Sequence, residues 1–430
     1  MEMLIYYIKL SIHNIKRHTL FFTLMITTLA LGIAVLLANL AILKVMSSDP
    51  IPQKSDKIFS VNMTTWPETK GDNSEPLHIL RYRDAMHILK SDIPTYSLIH
   101  YESNVYTRAV ESKSLSRFGA TTRATTQAFF QLTNAPFEYG QSWENENAFE
   151  VVIGADLNQK LFGGINSVGK NIEIDNKLFR IVGVLKPWHL KPLFYHASER
   201  RAFNKTDDLF APIEVALDNS WGIGARASST EMYNASSETR EKNVFYLQAF
   251  VQLDTQQQKT EFQNYLDSYS QSLKDAGEHP FDINNKLYNV NEWLTKNKVV
   301  DDKILAFALA TLLFLAVCIF NASSLLLARY HSAKFETGLR RAIGASKKQI
   351  FLQGSIESII IGTICAFFSI VIGWIFLKLS LSLFPYLTDI ANFDMQLMIM
   401  GICIAIATSF ISALYPLIRA SNSNISSEIK

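Results

Sequence analysis

Cysteine is scarce. The chain of 430 residues has three, Cys318, Cys365 and Cys403, and none lies between residues 47 and 302. That long polar stretch has no disulfide to staple it, so it must rest on a hydrophobic core of its own. Each thiol sits in a separate apolar run, where it reads as a small buried hydrophobe and not as a metal ligand. Catalytic signatures are missing as well: no nucleophile elbow and no H-E-x-x-H stretch occurs, which argues against an enzyme. His189 and His196 have no Asp, Glu or Cys pattern around them and read as solvated or hydrogen-bonded side chains, not as a zinc site. No metal or other cofactor is therefore expected on this chain. The net charge of +2, from 41 basic and 39 acidic residues, leaves no footprint for nucleic acid.

Charge is also absent from four runs, 20–43, 304–328, 358–377 and 395–418, none of which holds an Asp, Glu, Lys, Arg or His. At about 1.5 Å per residue, each is long enough for a hydrocarbon core roughly 30 Å thick. The first exceeds the apolar region of a cleavable signal peptide, about 7–15 residues, and reads as a retained anchor. The mean hydropathy of +0.09 hides this division into greasy and polar parts.

Cations set the expected orientation. In residues 1–19, Lys9, Lys16 and Arg17 oppose only Glu2, while Leu4, Ile5, Ile8, Ile12 and Ile15 keep helical spacing, as in an interfacial helix. The stretch 329–349 carries Arg329, Lys334, Arg340, Arg341, Lys347 and Lys348 against Glu336, whereas the connection 384–394 has Asp389 and Asp394 and no cation. Both termini and 329–349 should then face the cytosol and 47–302 the outside. The expected fold is an α-helical membrane protein with four transmembrane helices and a large extracytoplasmic α+β domain inserted between helices 1 and 2. Its parts are 1–46, 47–302 in two subdomains, and 303–430 with the last three spans.

Within the outer segment, 58–63 reads as a strand, 77–90 as a helix, 151–153 as a strand and 156–162 as a helix. A hairpin is expected over 171–184 with Asp175-Asn176 at its turn, and a strand over 244–253. Asp254 with Gln257 reads as the cap of a helix whose apolar face is Phe262, Leu266, Tyr269 and Leu273, stopping at Gly277. No elements are assigned in 186–242. Trp66, Trp143, Trp188, Trp221 and Trp293 suit core packing or an apolar surface. Gly164, Gly169 and Lys170 satisfy G-x-x-x-x-G-K, but Asn171 stands where magnesium needs Ser or Thr, and a hairpin follows where a phosphate cradle needs a helix.

Two patterns concern the spans themselves. Ser358, Gly362 and Ala366 in the third, and Gly401, Ala405, Ser409 and Ala413 in the fourth, form small-residue stripes that let helix backbones meet. Asn39 and Asn321 are the main strongly polar side chains in the runs, too few for a hydrated route through the bundle. The elbow 329–349 places Phe335, Leu339 and Ile343 on one helical stripe, with Gly344 as a stop and Ser346 with Gln349 as a capping box for the next helix. Such an elbow reads as a membrane anchor or as a docking helix for a cytosolic partner.

Several stretches resemble one family, the MacB/FtsX-type ABC transporter permeases. The elbow KFETGLRRAIGASKKQI is similar to that family's E-x-G-x-R-x-A-x-G-A segment through Glu336, Gly338, Arg340, Ala342, Gly344 and Ala345. VVIGADLNQKLFGGINSVGKNIEIDNKLFRIVGVL resembles its periplasmic core, and RYRDAMHILKSDIP its first outer helix. The resemblance implies an inner-membrane permease without a fused ATPase, served by a separate cytosolic ABC ATPase that uses ATP and magnesium. It implies pairing with a second permease copy or a paralogue, and it casts Phe335, Glu336, Leu339, Arg340, Arg341 and Ile343 as the coupling helix. Work on a substrate outside or in the outer leaflet, such as an antimicrobial peptide, drug or lipid, would follow, with a periplasmic adaptor and outer-membrane channel as further partners. Lipoprotein release, activation of a cell-wall hydrolase, or a non-transporting sensor are the competing expectations.

Overall fold

The computed structural model describes residues 2–66, 75–110, 117–188, 190–224, 227–229, 239–383, 387–388 and 391–422. They form two compact units, Met1–Ser47 with Val300–Lys430, and Ser48–Val299. The first unit opens with α1 (Glu2–Arg17) and α2 (Thr19–Met46). On α1, Leu4, Ile5, Ile8 and Ile12 stay exposed while Tyr7 and Ser11 are buried, which leaves the uncovered apolar stripe that an interfacial helix needs.

The second unit is built on one ten-stranded sheet. Its strands are β1 (Ile58–Asn62), β2 (Tyr96–Ala109), β3 (Phe118–Thr125), β4 (Phe137–Gly140), β5 (Glu150–Ile153), β6 (Asn171–Ile174), β7 (Lys177–Leu185), β8 (Leu209–Pro212), and, after a separate pair β9 (Ser228–Ser229) and β10 (Val244–Phe245), β11 (Gln248–Gln252) and β12 (Lys286–Asn289). The order is β12-β1-β11-β2-β3-β8-β5-β7-β4, with β6 bridging β2 and β7. Pairs β3–β8 and β5–β7 are parallel and the sheet's other pairs antiparallel. Helices α3 (Tyr82–Leu89), α4 (Ala128–Thr133), α5 (Ala155–Phe162), α6 (Ile213–Asp218), α7 (Gln256–Asp275) and α8 (Val290–Lys296) complete it.

Side chains alternate across a strand, so adjacent residues of the central strands enter different cores. Phe59, Val61, Ile99, Tyr101, Ala249 and Val251 join one core with Phe262 and Leu266 of α7. Their neighbours Ile58, Leu98 and Phe250 join the other with Phe129, Trp143, Phe194 and Trp293. Burial on both faces explains why Ile58 and Phe59, Leu98 and Ile99, and Ala249 to Val251 stand as adjacent apolar residues. Trp143, Trp221 and Trp293 are core residues, and Trp293 Nε1 donates to the Phe194 carbonyl at 3.0 Å.

Several expected elements shift. The helix expected over 77–90 shrinks to α3, because Leu77 and Leu80 pair with Met63 and Leu247 instead. The cap of α7 falls one residue later than expected: Thr255 and Gln258 form the capping box, while Asp254 accepts from Thr95 at 2.6 Å. The 244–253 strand divides into β10 and β11. The hairpin turns at Asp175 and Asn176, both at positive φ, in the left-handed pair a two-residue turn requires. In the unassigned 186–242 region lie a 3-10 helix (Phe194–Glu199), β8 and α6. His189 lies outside the described residues.

The first unit resumes with α9 (Asp302–Ser332), α10 (Lys334–Ala342), α11 (Lys347–Leu383) and α12 (Met395–Asn422). Helices α2, α9, α11 and α12 are long and apolar enough to cross a membrane, and each outruns its uncharged core. Their shared core holds Leu29, Ile33 and Leu37 of α2, Leu315 and Ala322 of α9, Ile361 and Cys365 of α11, and Ala405 and Ala413 of α12. Half of the most apolar window of α2 is buried against 17% for α9, so α2 is central and α9 leaves Leu309, Leu313 and Phe320 for other contacts. Asn39 is buried and donates to Thr311 Oγ1 at 3.3 Å, while Asn321 is exposed.

Helices α11 and α12 meet along small residues. A Cβ at Gly362 would lie 2.8 Å from Ile406 Cα and 3.1 Å from the Ala405 carbonyl oxygen, and Ser409 Oγ donates to the Ser358 carbonyl at 2.8 Å. Gly401 instead faces α2, where a Cβ would meet Leu37 at 2.8 Å. A second close crossing sets Gly32 against Cys318, with 2.9 Å between a Cβ and the sulfur. A Gly362→Leu change should cost about 1–3 kcal/mol through overpacking. A lower thermal midpoint in detergent checks this, with Phe367→Leu at an exposed site as the neutral control.

Candidate functional site

The stretch between the second and third spans is where the first unit concentrates its cations, and it also carries three exposed apolar side chains. Helix α9 runs on past its apolar run to Ser332, and Ala333 alone separates it from α10. The amphipathic pattern then places Phe335, Leu339 and Ile343 on one stripe, and they are 61%, 46% and 78% exposed, while Gly338 on its flank is buried. Gly344 stops the turn at φ 114°, a conformation that suits a residue without a Cβ. Ser346 and Gln349 then start α11 reciprocally: Ser346 N–H donates to Gln349 Oε1 at 2.8 Å, and Gln349 N–H to Ser346 Oγ at 3.3 Å.

Polar contacts hold α10 to its frame. Arg340 donates to Glu336 one turn earlier at 2.6 Å and to Gln353 Oε1 of α11 at 3.1 Å. Lys347 donates to Asn422 at the end of α12 at 3.4 Å. Arg341 is half-buried on the flank of the helix. Of the expected coupling set, Glu336 and Arg340 are tied to this frame and the three apolar residues are presented outward.

One pair in the frame carries no signal in the sequence. Glu357, which reads there as the edge of the third apolar run, lies well inside α11 and is buried. It forms an ion pair with Arg329 of α9 and accepts from Asn14 Nδ2 of α1 at 3.3 Å. The Arg329 guanidinium also lies over the Phe22 ring of α2, 4.5 Å from its centroid. Four helices therefore converge on one buried charge pair. At the other end of the unit, Lys44 donates to Asp394 at 2.5 Å and to Gln396 at 2.8 Å, and the Lys44 hydrogen bond holds the Asp394 carboxyl below its ordinary range.

Residues 22–269 match the MacB-like periplasmic core domain, and residues 308–425 match the FtsX-like permease C-terminal domain. The chain belongs to the MacB/FtsX-type ABC transporter permeases. The periplasmic region of MacB from Actinobacillus actinomycetemcomitans is 13% identical, aligned over 59% of this chain and 96% of its own, with a TM-score of 0.37. The extracellular domain of the noncanonic ABC-type transporter YknZ from Gram-positive bacteria is 11% identical, over 54% of this chain and 100% of its own, with a TM-score of 0.34. No curated protein matches the chain.

The apparent phosphate loop of this permease has no cradle geometry. Gly169 N–H donates to Ile181 and Ile181 N–H to Lys170, so the segment joins α5 to the β6–β7 hairpin and does not open a helix.

Removing one member of a buried ion pair leaves a bare charge and costs about 3–5 kcal/mol, whereas replacing both with apolar residues is far milder. Glu357→Leu should therefore lower the stability of the membrane unit more than the double change Glu357→Leu with Arg329→Met. Unfolding midpoints of the two variants and the wild type, measured in one detergent, test the order.

Proposed function

We propose that this permease couples ATP hydrolysis by a separate cytosolic ABC ATPase to movement of its outer unit, and that force rather than cargo passes through the four helices. The observation that carries the reading is the uncovered stripe of Phe335, Leu339 and Ile343 on a short helix whose polar face is already tied down. Large apolar side chains left exposed on a helix fit a groove on a partner, with Glu336, Arg340 and Arg341 at the rim. The four uncharged runs supply no Asp, Glu, Lys, Arg or His to line a wet route, which favours a transmitting bundle over a channel.

On this reading both termini and α10 face the cytosol, the permease acts as a dimer with a second copy or a paralogue, and the ATPase alone holds ATP and magnesium. The substrate is one already outside or in the outer leaflet, such as an antimicrobial peptide, a drug or a lipid. An adaptor and outer-membrane channel would complete an efflux route, and lipoprotein release or hydrolase activation would use the same motion.

Leu339→Asp should leave the permease inserted but uncouple it, so that the co-purified ATPase loses most of its permease-dependent stimulation; unchanged stimulation would remove the docking claim. Orientation has its own check. A single cysteine at Lys347, in a chain whose three cysteines are changed to serine, should react with an impermeant maleimide only after the membrane is opened from the cytosolic side.

A further inference from the structure

Residues far apart in sequence converge inside the outer unit on a buried cluster of opposite charges. Glu102 comes from β2 and Arg123 from β3, His196 and Glu199 from the 3-10 helix, and Asp207 from just before β8. Side chains three apart eclipse one another on a 3-10 helix, which stacks His196 and Glu199 on the face turned toward Glu102. One ligand atom from each of Glu102, His196 and Glu199 lies within 4.8 Å of the other two. His196 Nδ1 is 3.2 Å from Glu199 Oε2 and 3.5 Å from Glu102 Oε2. A tetrahedral ion with bonds of about 2.0–2.1 Å holds its ligand atoms roughly 3.3–3.4 Å apart.

Each of these side chains is steadied at its other end. Glu102 Oε1 accepts from Arg201 at 2.6 Å, and Glu199 Oε1 accepts from Gln248 Nε2 at 3.1 Å. His196 Nε2 lies 3.5 Å from Asp207 Oδ1, the carboxylate placement that orients a metal-bound imidazole. Arg123 lies against both His196 ring nitrogens, 3.2 Å from Nδ1, and its charge is matched by a two-pronged bond to Asp207, 3.1 Å at both contacts. Glu102 Oε2 is the atom that points to a ligand. It is buried, 3.5 Å from His196 Nδ1 and 3.8 Å from Arg123, and without a hydrogen-bond partner. Such a carboxylate oxygen is costly unless a cation or a proton meets it.

We propose that Glu102, Glu199 and His196 bind one divalent transition-metal ion of the zinc type, which clamps the 3-10 helix to β2. Two carboxylate oxygens and one imidazole nitrogen suit zinc by donor type, and three protein ligands leave a position for water. Arg201, whose side chain is 43% exposed, bonds the buried Glu102. The clamp is independent of the coupling proposed for α10.

The test uses the full-length permease in detergent, stripped with a chelator and titrated with zinc chloride against a chromophoric zinc indicator, with bound metal counted by elemental mass spectrometry. One equivalent per chain and a raised thermal midpoint are expected, with affinity weakened about tenfold or more in Glu102→Gln and in Glu199→Gln. Circular dichroism of the metal-free variants separates lost binding from lost folding. Cobalt substitution gives a second readout, a visible d–d band in the wild type that the variants lack. A wild-type chain that takes up no stoichiometric zinc overturns the proposal, and so do folded variants that bind zinc as tightly as the wild type. In either case a proton alone fills the gap between the carboxylates.

Discussion

A hydrocarbon core offers no partner for a hydrogen bond, and the membrane unit follows from that one condition. Every backbone group must be satisfied within its own segment, so the four uncharged runs are continuous helices. Burial gains little between two helices already solvated by lipid, so the helices hold together by close approach. This is why the crossings fall where side chains are absent or small: Gly362 against Ala405 and Ile406, Gly32 against Cys318, Gly401 against Leu37. Amide side chains inside the runs are few, and the buried Asn39 finds Thr311 across the α2–α9 contact.

Charge is pushed to the two ends of the bundle, and there it is used differently. Lys44 and Asp394 are both well exposed, and an exposed pair of this kind contributes about 0–1 kcal/mol. Arg329 and Glu357 are buried, and each loses its hydration on packing. A buried pair is weak evidence of stabilisation, because an apolar pair of the same volume often does as well. Its effect here is geometric. The charge on Glu357 gathers the ends of α1 and α9 onto α11, and Arg329 adds the ring of Phe22 from α2. Fixing the ends of α1, α2 and α9 on one point of α11 gives the bundle a defined edge, beside the elbow that carries α10.

Features that depend on local pattern were legible in the sequence. The four spans, the hairpin turn at Asp175-Asn176, the Ser346 and Gln349 capping box and the stripe of Phe335, Leu339 and Ile343 each rest on residues within a few positions of one another. What sequence reading missed depends on partners far away. His196 looks isolated because its neighbours in space are Glu102, Arg123 and Asp207. Glu357 looks like a boundary because its partners lie on α1 and α9. Leu77 and Leu80 fit a helical face but are taken by Met63 and Leu247, a case of tertiary pairing overriding local spacing. The irregular region 186–242 hid β8, which lies between β3 and β5 and is too short to show a period.

The shape of the elbow bears on how motion could leave it. Helices α9 and α11 run without a break from the two sides of α10 into the membrane, and Ala333 and residues 343–346 are the non-helical links beside it. Rotation is easiest at such links, because one non-helical residue absorbs a change in φ and ψ that a hydrogen-bonded helix resists. A push on α10 would therefore act on α9 and α11 as stiff levers. The Arg340 to Gln353 bond adds a strut from α10 to α11, so the two cannot swing fully apart without breaking it. Since packed helices shift between discrete arrangements and do not deform smoothly, a small displacement at this end would move the whole length of both spans. A bundle that had to pass a hydrated cargo would need polar walls at its centre; on the proposed reading the bundle moves as rods and needs tight seams and anchored ends, such as those at Gly362, Gly32 and the Arg329–Glu357 pair.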